Sequence, residues 1–260
     1  MLKITKNGRR LLLVGIGAYL IFLLATLPAS FLTRYILPSI TPAGMIKLQS
    51  VHGSVWKGEA MDASVNRFSL GHLDWKLNGW GMLLGDIDLK LTFKNENSRG
   101  SGLLSLGFGG STEAEDIELQ FPAEFLQPLV YGMPISFSGD LRGSIKSLEL
   151  RPGKILKGNG RVVWLSAALR APQNIELGSF LIALEPVNSG TKLKITDQQQ
   201  GPVITDIGIT VKGDGEYRLN GWMKARDETQ QHITEALRLI GRADSSGKFW
   251  VSNNGKLRGW

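Results

Sequence analysis

Beyond the N-terminal segment, apolar and polar side chains alternate along most of the chain. Ile87, Leu89, Leu91 and Phe93 interleave with Asp88, Lys90 and Thr92 across Asp86–Lys94. The same period recurs at Leu104, Leu106 and Phe108, at Ile117, Leu119 and Phe121, and at Phe180, Ile182 and Leu184. It returns at Leu193 and Ile195, at Ile207, Ile209 and Val211, and at Phe249 and Val251. A period of two puts one row on a buried face and the next in water, the pattern of a half-buried antiparallel sheet. Gly213-Asp214-Gly215 and Asn253-Asn254-Gly255 carry hairpin chemistry and predict turns. No βαβ rhythm occurs, which disfavours a parallel α/β fold.

Two stretches break the alternation. Residues 122–130 (PAEFLQPLV) predict one or two helical turns, with Pro122 at the first helical position. Residues 228–240 predict an amphipathic helix: Asp227 is the N-cap, Ile233, Ala236, Leu237 and Ile240 form one face, and Gly241 follows the end.

The N-terminus differs from all of this. Residues 11–33 carry no charge, and Leu11, Leu12, Leu13, Val14, Ile16, Tyr19, Leu20, Ile21, Phe22, Leu23, Leu24 and Leu27 make the run apolar on every side. As one helix it would span roughly 33 Å, enough for a hydrocarbon core of about 30 Å. Lys3, Lys6, Arg9 and Arg10 precede it and Arg34 follows. The positive-inside rule then places residues 1–10 in the cytoplasm and everything after about residue 34 across the membrane. A cleaved signal peptide ending near Leu27-Pro28-Ala29 competes with this, against a longer apolar stretch than usual and a poor leucine in the cleavage motif. A buried core helix is the third reading. Pro28 and Pro38 predict an extended linker over 34–44. The expected fold is thus mainly β: a transmembrane helix, then a curved, largely antiparallel sheet domain at 45–260 with one or two short helices. A faint echo between residues 54–60 and 162–168 raises the idea of two related halves, 45–150 and 151–260.

Composition narrows the function. The net charge is +7, but Lys3, Lys6, Arg9 and Arg10 supply four of those charges, so the excess reads as a topology signal and not as a nucleic-acid surface. Cysteine is absent, which removes disulfides, thiolate nucleophiles and cysteine metal sites. His52, His72 and His232 have no metal-ligand spacing, and His52 with His72 and Asp74 is the nearest approach to a constellation. No G-x-S-x-G occurs, and Gly107-Phe108-Gly109-Gly110-Ser111 lacks the lysine of a phosphate loop. Glu113, Glu115, Asp116 and Glu118 read as a solvated run. No catalytic residue, metal site or cofactor is expected. Trp56, Trp75, Trp80, Trp164, Trp222 and Trp250 read as core or edge-sealing residues, each burying about 200 Å².

Several short motifs stand in a distinctive order. Gly53-Ser54-Val55-Trp56-Lys57-Gly58-Glu59-Ala60 precedes Leu73-Asp74-Trp75-Lys76-Leu77 and Leu83-Leu84-Gly85-Asp86-Ile87. Then come Gly160-Arg161-Val162-Val163-Trp164, Ile175-Glu176-Leu177-Gly178, Gly201-Pro202, Asp214-Gly215-Glu216-Tyr217 and Ala236-Leu237-Arg238-Leu239-Ile240-Gly241. With the basic tip and apolar run, this order resembles the type II secretion system protein N family over nearly the whole chain. The resemblance implies a non-enzymatic, single-pass subunit of the Gram-negative inner membrane with a periplasmic β domain. It would assist assembly or stability of the secretion apparatus through the inner-membrane platform or the secretin. The motif residues it marks are Gly53, Trp56, Gly58, Trp75, Leu84, Gly85, Trp164, Leu177, Gly178, Gly215 and Gly241. The first block is also similar to AsmA/TamB-type envelope proteins, which implies an alternative in lipid binding or transfer. In that alternative Ile87, Leu89, Leu91 and Phe93 line a groove able to hold a phospholipid acyl chain or another strand.

Overall fold

A computed structural model describes residues 6–40, 45–66, 68–79, 81, 86–107, 111–130, 136–151, 154–171, 174–199, 201–227, 230–238 and 241–256. Leu84, Gly85, Trp80 and Lys3 lie outside the described residues, as does Ile240.

The alternating segments form strands, and the strands form one sheet. They are β1 Ile46–Gly53, β2 Lys57–Val65, β3 Phe68–Asn78, β4 Asp86–Lys94, β5 Arg99–Gly107, β6 Thr112–Pro122 and β7 Ser136–Arg151. Then follow β8 Lys154–Ala171, β9 Ile175–Val187, β10 Gly190–Asp197, β11 Val203–Lys212, β12 Glu216–Ala225 and β13 Phe249–Lys256. Each pairs antiparallel with the next in chain order, a thirteen-stranded meander. β7 and β8, which flank residue 150, pair along nearly their full length, so the sheet runs unbroken across that point.

Register carries the apolar row from edge to edge. Leu89 faces Leu104, Leu104 faces Ala114, and Ala114 faces Leu148. Further on, Leu184 faces Leu193, Leu193 faces Ile209, and Ile209 faces Leu219. Opposite side chains share a face, so one side of the sheet is largely apolar, interrupted by Thr112, Thr191, Asp197 and Thr205, and the other carries Glu59, Asp74, Glu118, Arg161, Lys194 and Asp206. In the 3-10 segment Ala123–Val130, the Phe125 ring lies 4.1 Å from that of Phe68 on β3 and 4.8 Å from that of Phe121 on β6. Strands three places apart, β3 and β6, are bridged by one ring.

Cover over the apolar face is partial. At the β1 side, Ala29 and Leu32 pack with Ala60, Trp75, Leu48, Val51, Leu73, Leu89 and Leu91. At the far side, helix α3 (Gln231–Arg238 in chain order, after α1 and α2 below) drops Ile233 and Leu237 onto Ile175, Val203, Ala225 and Phe249. The chain exposes 17322 Å², whereas a compact monomer of 28.5 kDa exposes about 11,000 Å². The exposed apolar side chains of the N-terminal helix, Leu11 to Leu24, contribute to the excess.

The predicted anchor is interrupted. Helix α1 is Lys6–Ala25, and a π-helical turn Leu32–Ile36 and a short helix α2, Leu37–Ile40, follow after a break. The uncharged helical part, residues 11–25, is roughly 22 Å long. Among the described residues no helix is long and apolar enough to cross a membrane. The break has a local cause. Residues 27–29 leave the helix to pair with the β1–β2 turn, through Pro28 opposite Ser54 and Val55 N–H donating to the Leu27 carbonyl at 2.9 Å. Residues 32–40 are helical where an extended linker was expected; Pro38 falls in the first turn of α2, where its missing N–H is tolerated.

Other expectations shift as well. Asn253-Asn254-Gly255 is no turn: it lies within β13, with Gly255 opposite Tyr217 and close under its ring. Pro122 ends β6, and the 3-10 segment starts one residue later. Asp227 stands ahead of α3, its carbonyl accepting the Gln230 N–H at 3.2 Å, and Gly241 does not adopt a left-handed conformation. Gly213-Asp214-Gly215 is the β11–β12 turn as expected, with Gly215 at φ +85°.

Ahead of β13, the Asp244 carboxylate accepts from Trp250 Nε1 at 2.7 Å, Ser246 Oγ at 2.7 Å and Lys248 N–H at 3.0 Å. These donors hold its pKa far below the usual carboxylate range. A depressed folded-state pKa stabilises the turn above the unfolded value, near 3.8, and the contribution fades as pH falls below it. Acid titration of tryptophan fluorescence is therefore expected to show a limb below about pH 4. Asp244→Asn, which still accepts a hydrogen bond but does not titrate, is expected to lack it.

Candidate functional site

The residues that the sequence marks most heavily meet where the apolar helix joins the sheet. Gly53 ends β1 at φ +90°, and a Cβ there would sit 2.6 Å from the Lys57 carbonyl oxygen, so the tight β1–β2 turn requires glycine. The turn presents its backbone to the incoming chain: Ala29 N–H donates to the Gly53 carbonyl at 3.0 Å, beside the Val55–Leu27 bond.

Two tryptophans lock this joint. Trp56 Nε1 donates to the Leu24 carbonyl at 2.8 Å, filling one of the acceptors a helix C-terminus leaves open. Its ring lies where a Cβ on Gly79 would approach to 2.5 Å. Trp75 is 5% exposed, donates Nε1 to the Val55 carbonyl at 3.1 Å, and covers Gly58, whose added Cβ would meet the ring at 2.4 Å. One indole thus ties helix to sheet, and the other fixes the turn from beneath. Ala29 and Ala60, each essentially buried, fill the space between.

From this joint α1 projects with its apolar surface bare. Leu11, Leu12, Leu13, Val14, Ile16, Tyr19, Leu20, Ile21, Phe22, Leu23 and Leu24 are all exposed, Leu11 by 74% and Ile21 by 70%. Leu27 is half-buried at the joint. Lys6 and Arg9 lie in the first turns of α1, and Arg10 is exposed.

The remaining marked residues lie elsewhere. Ile87, Leu89, Leu91 and Phe93 are half-buried on the apolar face; Leu89 and Leu91 pack against the Ala29–Ala60–Trp75 cluster, and Phe93 lies over Gly100. Trp164 in β8 packs edge-on to Phe137 at 5.5 Å and donates Nε1 to the Ser138 carbonyl at 3.1 Å, a strand role unlike that of Trp56. Leu177 and Gly178 sit at the opposite end of the sheet, against Gly201.

His72 meets Asp74 at 3.3 Å and Glu59 at 3.6 Å on the polar face. His52 is in register with Glu59, and Glu59 with Asp74. The strand between the two histidines therefore supplies a carboxylate that sequence alone did not bring in. The donor atoms lie within 4.8 Å of one another, half in solvent.

Residues 44–252 match the family model for type II secretion system protein N. The chain is 26% identical to a protein of that name from Aeromonas hydrophila over 253 residues, covering 92% of this chain and 95% of that one. It is 25% identical to the Vibrio cholerae protein over 225 residues, 85% and 88% of the two chains, and 26% identical to the Klebsiella pneumoniae protein over 268 residues, 96% and 100%. No solved structure matches. The sheet side of the joint, with Gly53, Trp56, Gly58 and Trp75, lies inside the matched region, and the chain belongs to the type II secretion system protein N family.

Proposed function

We propose that this type II secretion subunit is anchored in the inner membrane by α1 and presents its sheet in the periplasm. There it supports assembly or stability of the apparatus that exports folded proteins across the outer membrane, by contact with subunits of the inner-membrane platform or with the secretin. The family is one of structural secretion subunits, and the chain is not an enzyme.

The observation that carries the membrane seating is the bare apolar surface of α1, bound to the sheet at one end only. Its uncharged part is short, but the exposed Arg10 reaches a headgroup layer by snorkelling, and the whole helix Lys6–Ala25 measures about 30 Å. Retention of the helix is favoured over cleavage near Ala29. Cleavage there would remove the Leu27 carbonyl that Val55 uses and the Leu24 carbonyl that Trp56 uses.

Deleting the gene is expected to leave exoproteins in the periplasm and to lower the levels of partner subunits in membrane fractions. Immunoblots of medium, periplasm and membranes read both. Unchanged export together with unchanged subunit levels would sink the assembly role. Alkaline extraction of membranes tests the anchor separately, since a chain released by it is not seated through α1.

A further inference from the structure

On the polar face of β2 and β3, an imidazole and two carboxylates converge from two strands. Glu59 and Asp74 stand directly opposite one another in the antiparallel register, and His72 lies two residues before Asp74 on the same face. Like charges set directly opposite across a strand pair repel. Lys57, Lys76 and Lys94 share this face by register, yet among the described residues none of them lies within ion-pair distance of either carboxylate. His72 is the group that both carboxylates approach.

Their spacing suits a shared cation better than an ordinary ion pair. His72 Nε2 lies 3.3 Å from Asp74 Oδ2 and 3.6 Å from Glu59 Oε2, beyond the range of about 2.7–3.2 Å for an N–H···O hydrogen bond. A zinc ion bound tetrahedrally to imidazole nitrogen and carboxylate oxygen, with bonds near 2.0–2.2 Å, holds its ligand atoms about 3.4 Å apart. The two observed separations bracket that edge. All three donor atoms lie within 4.8 Å of one another, so a modest rotation of the half-exposed carboxylates closes the remaining edge. His52, opposite Glu59 on β1, shares the face but is not among the three donors that meet within that distance. An imidazole donor favours a first-row transition ion over calcium or magnesium, which take oxygen ligands.

We propose that Glu59, His72 and Asp74 bind a divalent transition-metal ion of the zinc class, with water in the remaining position. The ion neutralises the opposed carboxylates and clips β2 to β3 from the polar side. On the apolar side the next pair along, Gly58 with Trp75, is fastened by the indole, so the two fastenings lie back to back. The place matters because the β2–β3 register slips just beyond it, between Ala60 and Ala63. Residues 57–60 are therefore a short regular run next to the helix–sheet joint, and the metal holds that run closed. The proposal is independent of the membrane seating of α1 and of any secretion partner.

The test uses the untagged full chain in mild detergent, stripped with a chelator and titrated with zinc chloride by calorimetry. A parallel titration with cobalt(II) reads coordination geometry from the visible absorption, which is intense for a tetrahedral ion. One zinc per chain is expected, with a tetrahedral cobalt spectrum and a thermal unfolding midpoint that rises with zinc. His72→Ala, Glu59→Gln and Asp74→Asn are each expected to weaken zinc binding by about tenfold or more, since loss of even an outer partner of a metal site costs that much. The three side chains are half in solvent, so the variants are expected to keep the wild-type circular dichroism. His232→Ala, on α3, is expected to leave binding unchanged. The wild-type stoichiometry and cobalt spectrum carry the test even if one variant fails to fold. No saturable binding, a six-coordinate cobalt spectrum, or a zinc affinity that survives all three substitutions would overturn the site.

Discussion

Trp75→Ala is expected to lower the unfolding free energy by about 3–5 kcal/mol, the range for deleting a fully packed aromatic side chain. Three losses coincide at this position. The ring is 5% exposed within the Ala29–Ala60 cluster, its removal leaves a cavity against Gly58, and the Val55 carbonyl loses its indole donor. Leu48, Val51, Leu73, Leu89 and Leu91 pack around the same cluster, but a rotamer change among them fills an indole-sized gap only in part. Urea unfolding of the full chain in mild detergent, followed by circular dichroism, measures the change. Trp56→Phe is the informative contrast. It keeps a ring over Gly79 and removes only the donor to Leu24, so stability is expected to fall by about 1 kcal/mol. If Trp75→Ala cost as little as Trp56→Phe, Trp75 would not be the residue that fixes the joint.

The contrast also shows what the sequence could convey. Two tryptophans in glycine-punctuated segments announce close backbone approach, and each does cover a glycine: Trp75 covers Gly58 on β2, and Trp56 covers Gly79 just past the end of β3. The pairs, Trp75 with Gly58 and Trp56 with Gly79, depend on register and cannot be read from spacing. Strands with strict alternation, such as β4 and β11, were legible for the same reason that they are regular: one face is apolar at every second residue. β7 and β8 were not, because their register shifts repeatedly and their inward positions include Gly143 and Gly160 in place of apolar side chains. The apolar run at 11–33 looked like one helix because hydropathy does not see tertiary hydrogen bonds. Residues 27–29 are as apolar as those before them, yet they end the helix by pairing with the β1–β2 turn. His72 with Asp74 was visible two residues apart, whereas Glu59 joins them only through pairing of β2 with β3.

Gly178→Ala is expected to destabilise the far end of the sheet by more than about 3 kcal/mol, from a left-handed backbone angle and a steric clash together. Gly178 sits at φ +98°, and a Cβ there would come within 2.4 Å of the Gly201 Cα. The clash is with backbone, so no rotamer relieves it. Gly201 is itself fixed: its carbonyl accepts from Arg226 Nε at 2.8 Å, the neighbouring Pro202 carbonyl accepts the Arg226 N–H at 2.7 Å, and Arg226 also pairs with Asp197. Two glycine motifs far apart in sequence are therefore one contact. It holds β9 against the β10–β11 turn beside the Ile175–Val203–Ile233 core. Gly208→Ala is the control, since its Cβ would meet only the Asn220 carbonyl, at 3.8 Å, and alanine there is expected to change stability by no more than about 1 kcal/mol. Hydrogen exchange resolves where the loss falls. Faster exchange in β9 to β12 and α3, with β1 to β4 unchanged, is expected if the part of the sheet packed under α3 unfolds as a unit apart from the joint. Equal loss of protection at both ends would mean instead that the thirteen strands melt together and that the joint draws its stability from the whole sheet.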